Sequence, residues 1–112
     1  MTDKDVLAAG YKEYQPTKFD HSHIEKCFQK RFDDENGKKY FIDIKKWGEM
    51  THPYTGETWP PSYEFHVQLC NHDDEPVNME FFSGWSIDKV EQYVEALFQT
   101  GLFKHYERWD EE

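Results

Sequence analysis

With 112 residues, the chain has room for one domain built on one core. Its 23 acidic and 13 basic residues leave a formal charge of -10, which disfavours direct binding to nucleic acid or to an anionic membrane surface, since both need a basic patch. Aromatic residues make up 18% of the chain, enough ring area to build a folded core from few residues.

The pattern predicts an α+β domain: an antiparallel four-stranded meander of two hairpins with a C-terminal helix packed on one face. Residues 1–26 form a lead-in. Thr2 and Asp5 make a capping-box pair, Val6 to Ala9 make a helical turn, and Gly10 can end it. Tyr11, Tyr14, Pro16 and Phe19 follow as an irregular aromatic segment expected to lie across the sheet, because so many rings would otherwise be exposed. Residues 27–47 read as the first hairpin. Phe28, Lys30 and Phe32 share a face on one arm. On the other, Tyr40, Ile42 and Ile44 alternate with Lys39, Phe41, Asp43 and Lys45. Asn36-Gly37 between them suits the positive φ angles of a tight turn.

Residues 48–61 hold three prolines and two glycines and read as a long loop. Loops of this length in small domains are often functional, so His52, Tyr54 and Trp59 form a candidate contact surface; the competing expectation is a lid that packs its rings on the core. The second hairpin runs over 63–70 and 77–82, with Tyr63, Phe65, Val67, Leu69, Val77, Met79 and Phe81 on the apolar face. In the closing helix Ser86 caps the N-terminus and Asp88 suits the positive end of the macrodipole. Trp85 is placed to staple onto Val90. Ile87, Val90, Val94, Leu97 and Phe98 form one stripe, and Gly101 sits where a left-handed C′ residue belongs, with Leu102 set to touch Leu97. Phe103, Tyr106 and Trp109 continue as a docked tail, and residues 110–112 are expected to fray.

An up-down meander brings both hairpin tips to the same end of the sheet, so Asp33, Asp34 and Glu35 neighbour Asp73, Asp74 and Glu75. Six carboxylates there could imitate the spaced charges of a phosphate backbone, or simply populate solvated turns. Their spacing does not fit a calcium-binding EF-hand loop. His21, His23, Cys27 and His52 are the right types for zinc, but the spacing fits no common zinc pairing, and no metal or other cofactor is expected. Cys27 and Cys70 lie too far apart on the meander for a disulfide. Glu64 and His66 stand two apart on one strand face, an arrangement that sheets produce constantly. No phosphate-binding glycine loop and no nucleophile with a positioned base can be named, which favours a binding protein over an enzyme. No apolar run approaches a transmembrane span, residues 1–10 lack the apolar stretch of a secretion signal, and the two cysteines suit a reducing cytoplasm.

Three stretches, 7–11, 28–42 and 84–86, resemble small acidic proteins of uncharacterised families in bacterial genomes and phages. The resemblance implies an accessory or inhibitory protein that acts by binding, and it carries over no catalytic or binding residue. The resulting expectation is a cytoplasmic accessory protein with a protein partner, a basic one if the acidic tips make the contact. It would meet that partner through the acidic tips, as a mimic of nucleic acid, or through the aromatic loop. A self-associating or small-ligand module on the aromatic surface, and a metal protein or enzyme, are the alternatives.

Overall fold

The computed structural model describes residues 1–35, 37–81 and 84–104. A short helix, α1 (Asp3–Ala8), leads into strands β1 (Lys12–Tyr14), β2 (Ile24–Asp34) and β3 (Gly37–Trp47). Then come β4 (Met50–Thr51), β5 (Thr58–Trp59), β6 (Ser62–Asn71) and β7 (Pro76–Phe81). Helix α2 (Ile87–Gln99) and β8 (Phe103–Lys104) follow. The result is an α+β domain, an antiparallel sheet with α2 against one face.

Strands β2, β3, β6 and β7 run as a meander, but the sheet is larger than the two hairpins alone. Strand β1 adds to the outer edge of β2, and β8 pairs with the end of β6, Cys70 opposite Lys104 and Asn71 opposite Phe103. Both additions are only two or three residues long, too short to leave a period in the sequence. The first hairpin closes with Asp34 opposite Gly37. Asn36, Phe82, Tyr106, Trp109 and the 110–112 tail lie outside the described residues, as does the side chain of Asp34.

Cross-strand register sorts the side chains onto two faces. Pairs Phe28–Ile44, Lys30–Ile42, Phe65–Ile44 and Val67–Ile42 place the apolar residues together on the helix side. There Phe28, Ile42, Phe65 and Leu69 are fully buried with Val6 of α1 and Val90 and Val94 of α2. At about 25 cal/mol per Å² of apolar surface, this ring-rich layer supplies most of what holds the fold. Polar tethers align it. Thr2 and Asp5 cap α1 reciprocally, and Gly10 takes a φ of 97°, the left-handed step that releases the chain into β1. Lys30, on the core-facing side, donates to the Ala9 carbonyl at 2.8 Å and to Glu91 of α2 at 3.2 Å.

One strand departs from simple alternation. Between Phe32–Tyr40 and Asp33–Lys38 the register shifts, leaving Lys39 as a bulged residue. Instead of standing on the face opposite Tyr40, Lys39 donates to Glu95 of α2 at 2.8 Å, and the Tyr40 hydroxyl donates to the same carboxylate at 2.7 Å.

Two further local expectations change, those for Phe19 and Leu102, and Trp85 gains ring partners. Phe19 is exposed rather than laid across the sheet, because Thr17 and Asp20 fold the 15–20 segment into a tight turn of its own. Trp85 meets Phe81 at 5.0 Å and Tyr93 at 5.9 Å between ring centroids, forming a half-exposed aromatic cluster beside the start of α2. Leu102 is exposed: Gly101, at φ 79°, turns the chain toward its pairing with β6 and carries that side chain away from the core.

Residues 48–61 are an arm, not a featureless loop. Past Trp47–Ser62, the last pair of β3 with β6, the same ribbon resumes as Met50 opposite Trp59 and Thr51 opposite Thr58. Pro60 and Pro61 interrupt the ladder between the two ladders, which is why the composition reads as punctuation.

Candidate functional site

The arm collects the three aromatic candidates. His52 is the hub, with ring centroids 5.9 Å from Tyr54 and 5.9 Å from Trp59, the latter edge-on. Its Nδ1 accepts from the backbone N–H of Tyr54 and of Thr55, both at 3.2 Å, and its own N–H donates to the Glu57 carbonyl at 2.7 Å. His52 therefore shapes the turn from inside, its Nδ1 serving as the acceptor. Gly56, at φ 73°, completes the turn. None of residues 50–61 is buried; Tyr54 is 93% exposed and Trp59 43%. The rings pack on one another and not on the core, so the arm is no lid. At its base, Trp47, Met50, Trp59 and Pro60 line a mostly apolar depression of about 610 Å³.

The acidic tips are at one end of the sheet, as the meander requires, and the β6–β7 tip is heavily committed to its own geometry. Asn71 Oδ1 accepts from the N–H of Asp73 at 3.0 Å and of Glu75 at 2.9 Å, while Asn71 Nδ2 donates to the Glu75 carboxylate. Asp74 adopts φ 64°, a left-handed position that Asp tolerates, and pairs with Lys104 of β8. His72 Nε2 is 2.8 Å from the Gly101 carbonyl. The tip is thereby tied to the end of α2. Asp33 and Glu35 are exposed on the other tip.

The sheet face without helices carries a third constellation, which the sequence does not announce. A groove of about 860 Å³ runs between the 12–20 segment and the exposed faces of β2 and β3. Asp43 sits in it, accepting from Gln29 Nε2 at 3.1 Å and from the Tyr14 hydroxyl. Burial pushes the Asp43 carboxyl up, against the hydrogen bonds from Gln29 and Tyr14. Burial also pulls Asp20 upward, but hydrogen bonds from Lys45 and Thr17 outweigh it and hold that carboxyl below its ordinary value. The Cys27 thiol is covered by this segment and lies 4.0 Å from Asp20; burial first, and the Asp20 charge second, push it up. Such a thiol is a poor nucleophile at neutral pH, and Lys45 is committed to Asp20. Asp43 opposite Gln29 follows from the hairpin register, whereas the return of Asp20 over the sheet leaves no sequence signal.

The four zinc-type residues do not converge. The His21 and His23 rings meet at a tilt, 5.2 Å apart, and His21 lies 4.9 Å from Trp47, but Cys27 is under the 12–20 segment and His52 is out on the arm. Among the described residues, the group of potential ligands that does converge is Glu64, His66 and Glu80. Cys27 and Cys70 are both free thiols. No helix among the described residues is long and apolar enough to cross a membrane.

Comparison with protein-family models, with curated proteins and with solved structures finds no match.

Proposed function

We propose that this chain is a small cytoplasmic accessory protein that acts by docking onto a protein partner through its aromatic arm. The observation that carries this reading is the His52–Tyr54–Trp59 cluster, gathered by a turn built around His52 yet left open to solvent. A large ring held in place and uncovered loses little entropy on binding and gains much area, the usual properties of an interface anchor. The free thiols of Cys27 and Cys70 suit a reducing compartment.

A second reading, an acidic mimic of nucleic acid, is favoured by one observation: the β2–β3 and β6–β7 tips share an end of a chain with a formal charge of -10. Against it, Asn71, Asp74 and Glu75 are engaged in shaping and anchoring their own turn. The two readings separate in one experiment. Immobilised wild type, Tyr54→Ala/Trp59→Ala and Asp73→Asn/Asp74→Asn/Glu75→Gln are challenged with cell extract at low and high salt. Docking through the arm predicts a partner that survives high salt and is lost only with the ring variant. A partner lost in high salt and with the tip variant would replace the arm with the mimic.

A further inference from the structure

We infer that Glu64, His66 and Glu80 form a binding site for a first-row divalent transition cation of the zinc class, on the sheet face opposite the helices. The placement follows from register. Glu64 and His66 are two apart on β6 and therefore on the same face, and Glu80 of β7 is the direct cross-strand partner of His66. The three can each offer one ligand atom, all within 4.8 Å of one another.

Charge and burial single this cluster out from the other carboxylates. The Glu64 side chain is only 13% exposed and lies against Nε2 of the His66 ring. Lys45, its cross-strand neighbour in β3, is turned to Asp20. Glu80 Oε1 stands 3.8 Å from His66 Nδ1, and Asp43 is opposite His66 on the other side. Three carboxylates thus surround one imidazole on a half-buried face, where a cation would offset repulsion that water screens poorly.

The donor set chooses the ion. One nitrogen and two carboxylate oxygens suit zinc and its neighbours, whereas magnesium and calcium prefer oxygen alone. Bonds of about 2.0–2.1 Å in a tetrahedral arrangement need ligand atoms about 3.3 Å apart. Glu64 already meets His66 at Nε2, whereas Glu80 stands on the Nδ1 side; 55% exposed at the sheet edge, Glu80 has to swing across to complete the set about Nε2. Beside them His66, Glu80 and Asn78 border a shallow depression of about 320 Å³, which leaves the remaining coordination positions open to water. The site adjoins the arm, since Glu64 also lines the depression at its base, but it does not rest on the docking reading.

The test is titration of the full chain with Zn²⁺, Mn²⁺, Mg²⁺ and Ca²⁺ by calorimetry, with Co²⁺ absorption as a spectroscopic report of ligand type. One Zn²⁺ per chain is expected, with Mg²⁺ and Ca²⁺ failing to compete. His66→Ala should weaken Zn²⁺ by at least about a hundredfold, more than loss of a mere outer-shell partner. Glu80→Gln, at a 55% exposed edge position, should weaken it as well, and it decides the matter if His66→Ala does not fold. His21→Ala/His23→Ala should leave it unchanged. No Zn²⁺ binding by the wild type, or binding that Glu80→Gln and His66→Ala leave intact, overturns the site.

Discussion

The Tyr63 hydroxyl donates to the Asp3 carboxylate at 2.5 Å, fastening the first residue of α1 to the core face of β6, sixty residues away. Lys26 and Lys46 reach the same carboxylate, at 2.9 Å and 3.2 Å. This Tyr63 bond is the largest single cause holding Asp3 at about 2, below its ordinary 3.8, with Lys26 and Lys46 adding to it. Because the folded value is depressed, the stabilisation is fully present above about 3.8 and is lost as the pH falls toward 2. The shift is worth about 2 kcal/mol. Urea unfolding at pH 5 and at pH 2.5 should show Asp3→Asn losing most at the higher pH and clearly less at the lower, where the carboxylate is partly protonated. Equal losses at both would mean that the tether contributes no pH dependence.

Lys39 illustrates how much of the fold is legible in the residues and where legibility stops. Strict alternation in 40–44 identified the core face of β3, and the same period in 63–69 identified that of β6, because burial on one side of a pleat leaves a trace at every second residue. The α2 stripe was equally plain. The bulge at Lys39 leaves no such trace, since one extra residue inverts the pattern locally without changing composition. The arm was hidden by its prolines. Of the candidate residues, His52, Tyr54 and Trp59 stand out in the sequence as rings in a long segment, and Glu64 and His66 as strand neighbours. Glu80 and Asp20 were missed, because their relevance depends on which strand lies beside which, a property of topology and not of local sequence.

The bulge makes its own prediction. Lys39 is the main reason that the Glu95 carboxyl is held down at about 2, with Tyr40 and Gln99 assisting. Lys39→Met keeps the aliphatic stem and removes the ammonium, so the Glu95 carboxyl should move up toward its ordinary 4.5. A carbon-detected NMR titration of the Glu95 side chain reads this directly. An unmoved Glu95 would assign its depression to the Tyr40 hydroxyl instead.

Two leucines separate burial from hydrophobicity. Leu69 is fully buried on the core face, whereas Leu102 is 67% exposed after the Gly101 turn. Leu69→Ala should destabilise the fold by about 2–5 kcal/mol through lost burial and a residual cavity. Leu102→Ala should change it by less than about 0.5 kcal/mol. Denaturant midpoints of the two variants, measured side by side, check the assignment; a comparable loss from Leu102→Ala would place that side chain in the core.

The cysteines offer a probe of the segment that covers the open sheet face. Cys27 is wholly inaccessible beneath residues 12–20, and both its burial and the nearby Asp20 charge disfavour the thiolate. In a Cys70→Ser background, alkylation of native Cys27 at neutral pH should be far slower than in denaturant, and it should gain with pH only above the usual thiol range. Asp20→Asn removes both the charge beside Cys27 and the tether to Lys45, so the segment should open more often and the thiol should ionise more readily. Its alkylation rate should therefore rise well above that of the parent. A rate unaffected by Asp20→Asn would mean that the segment is held over Cys27 by the pairing of β1 with β2, and not by the Asp20–Lys45 bridge.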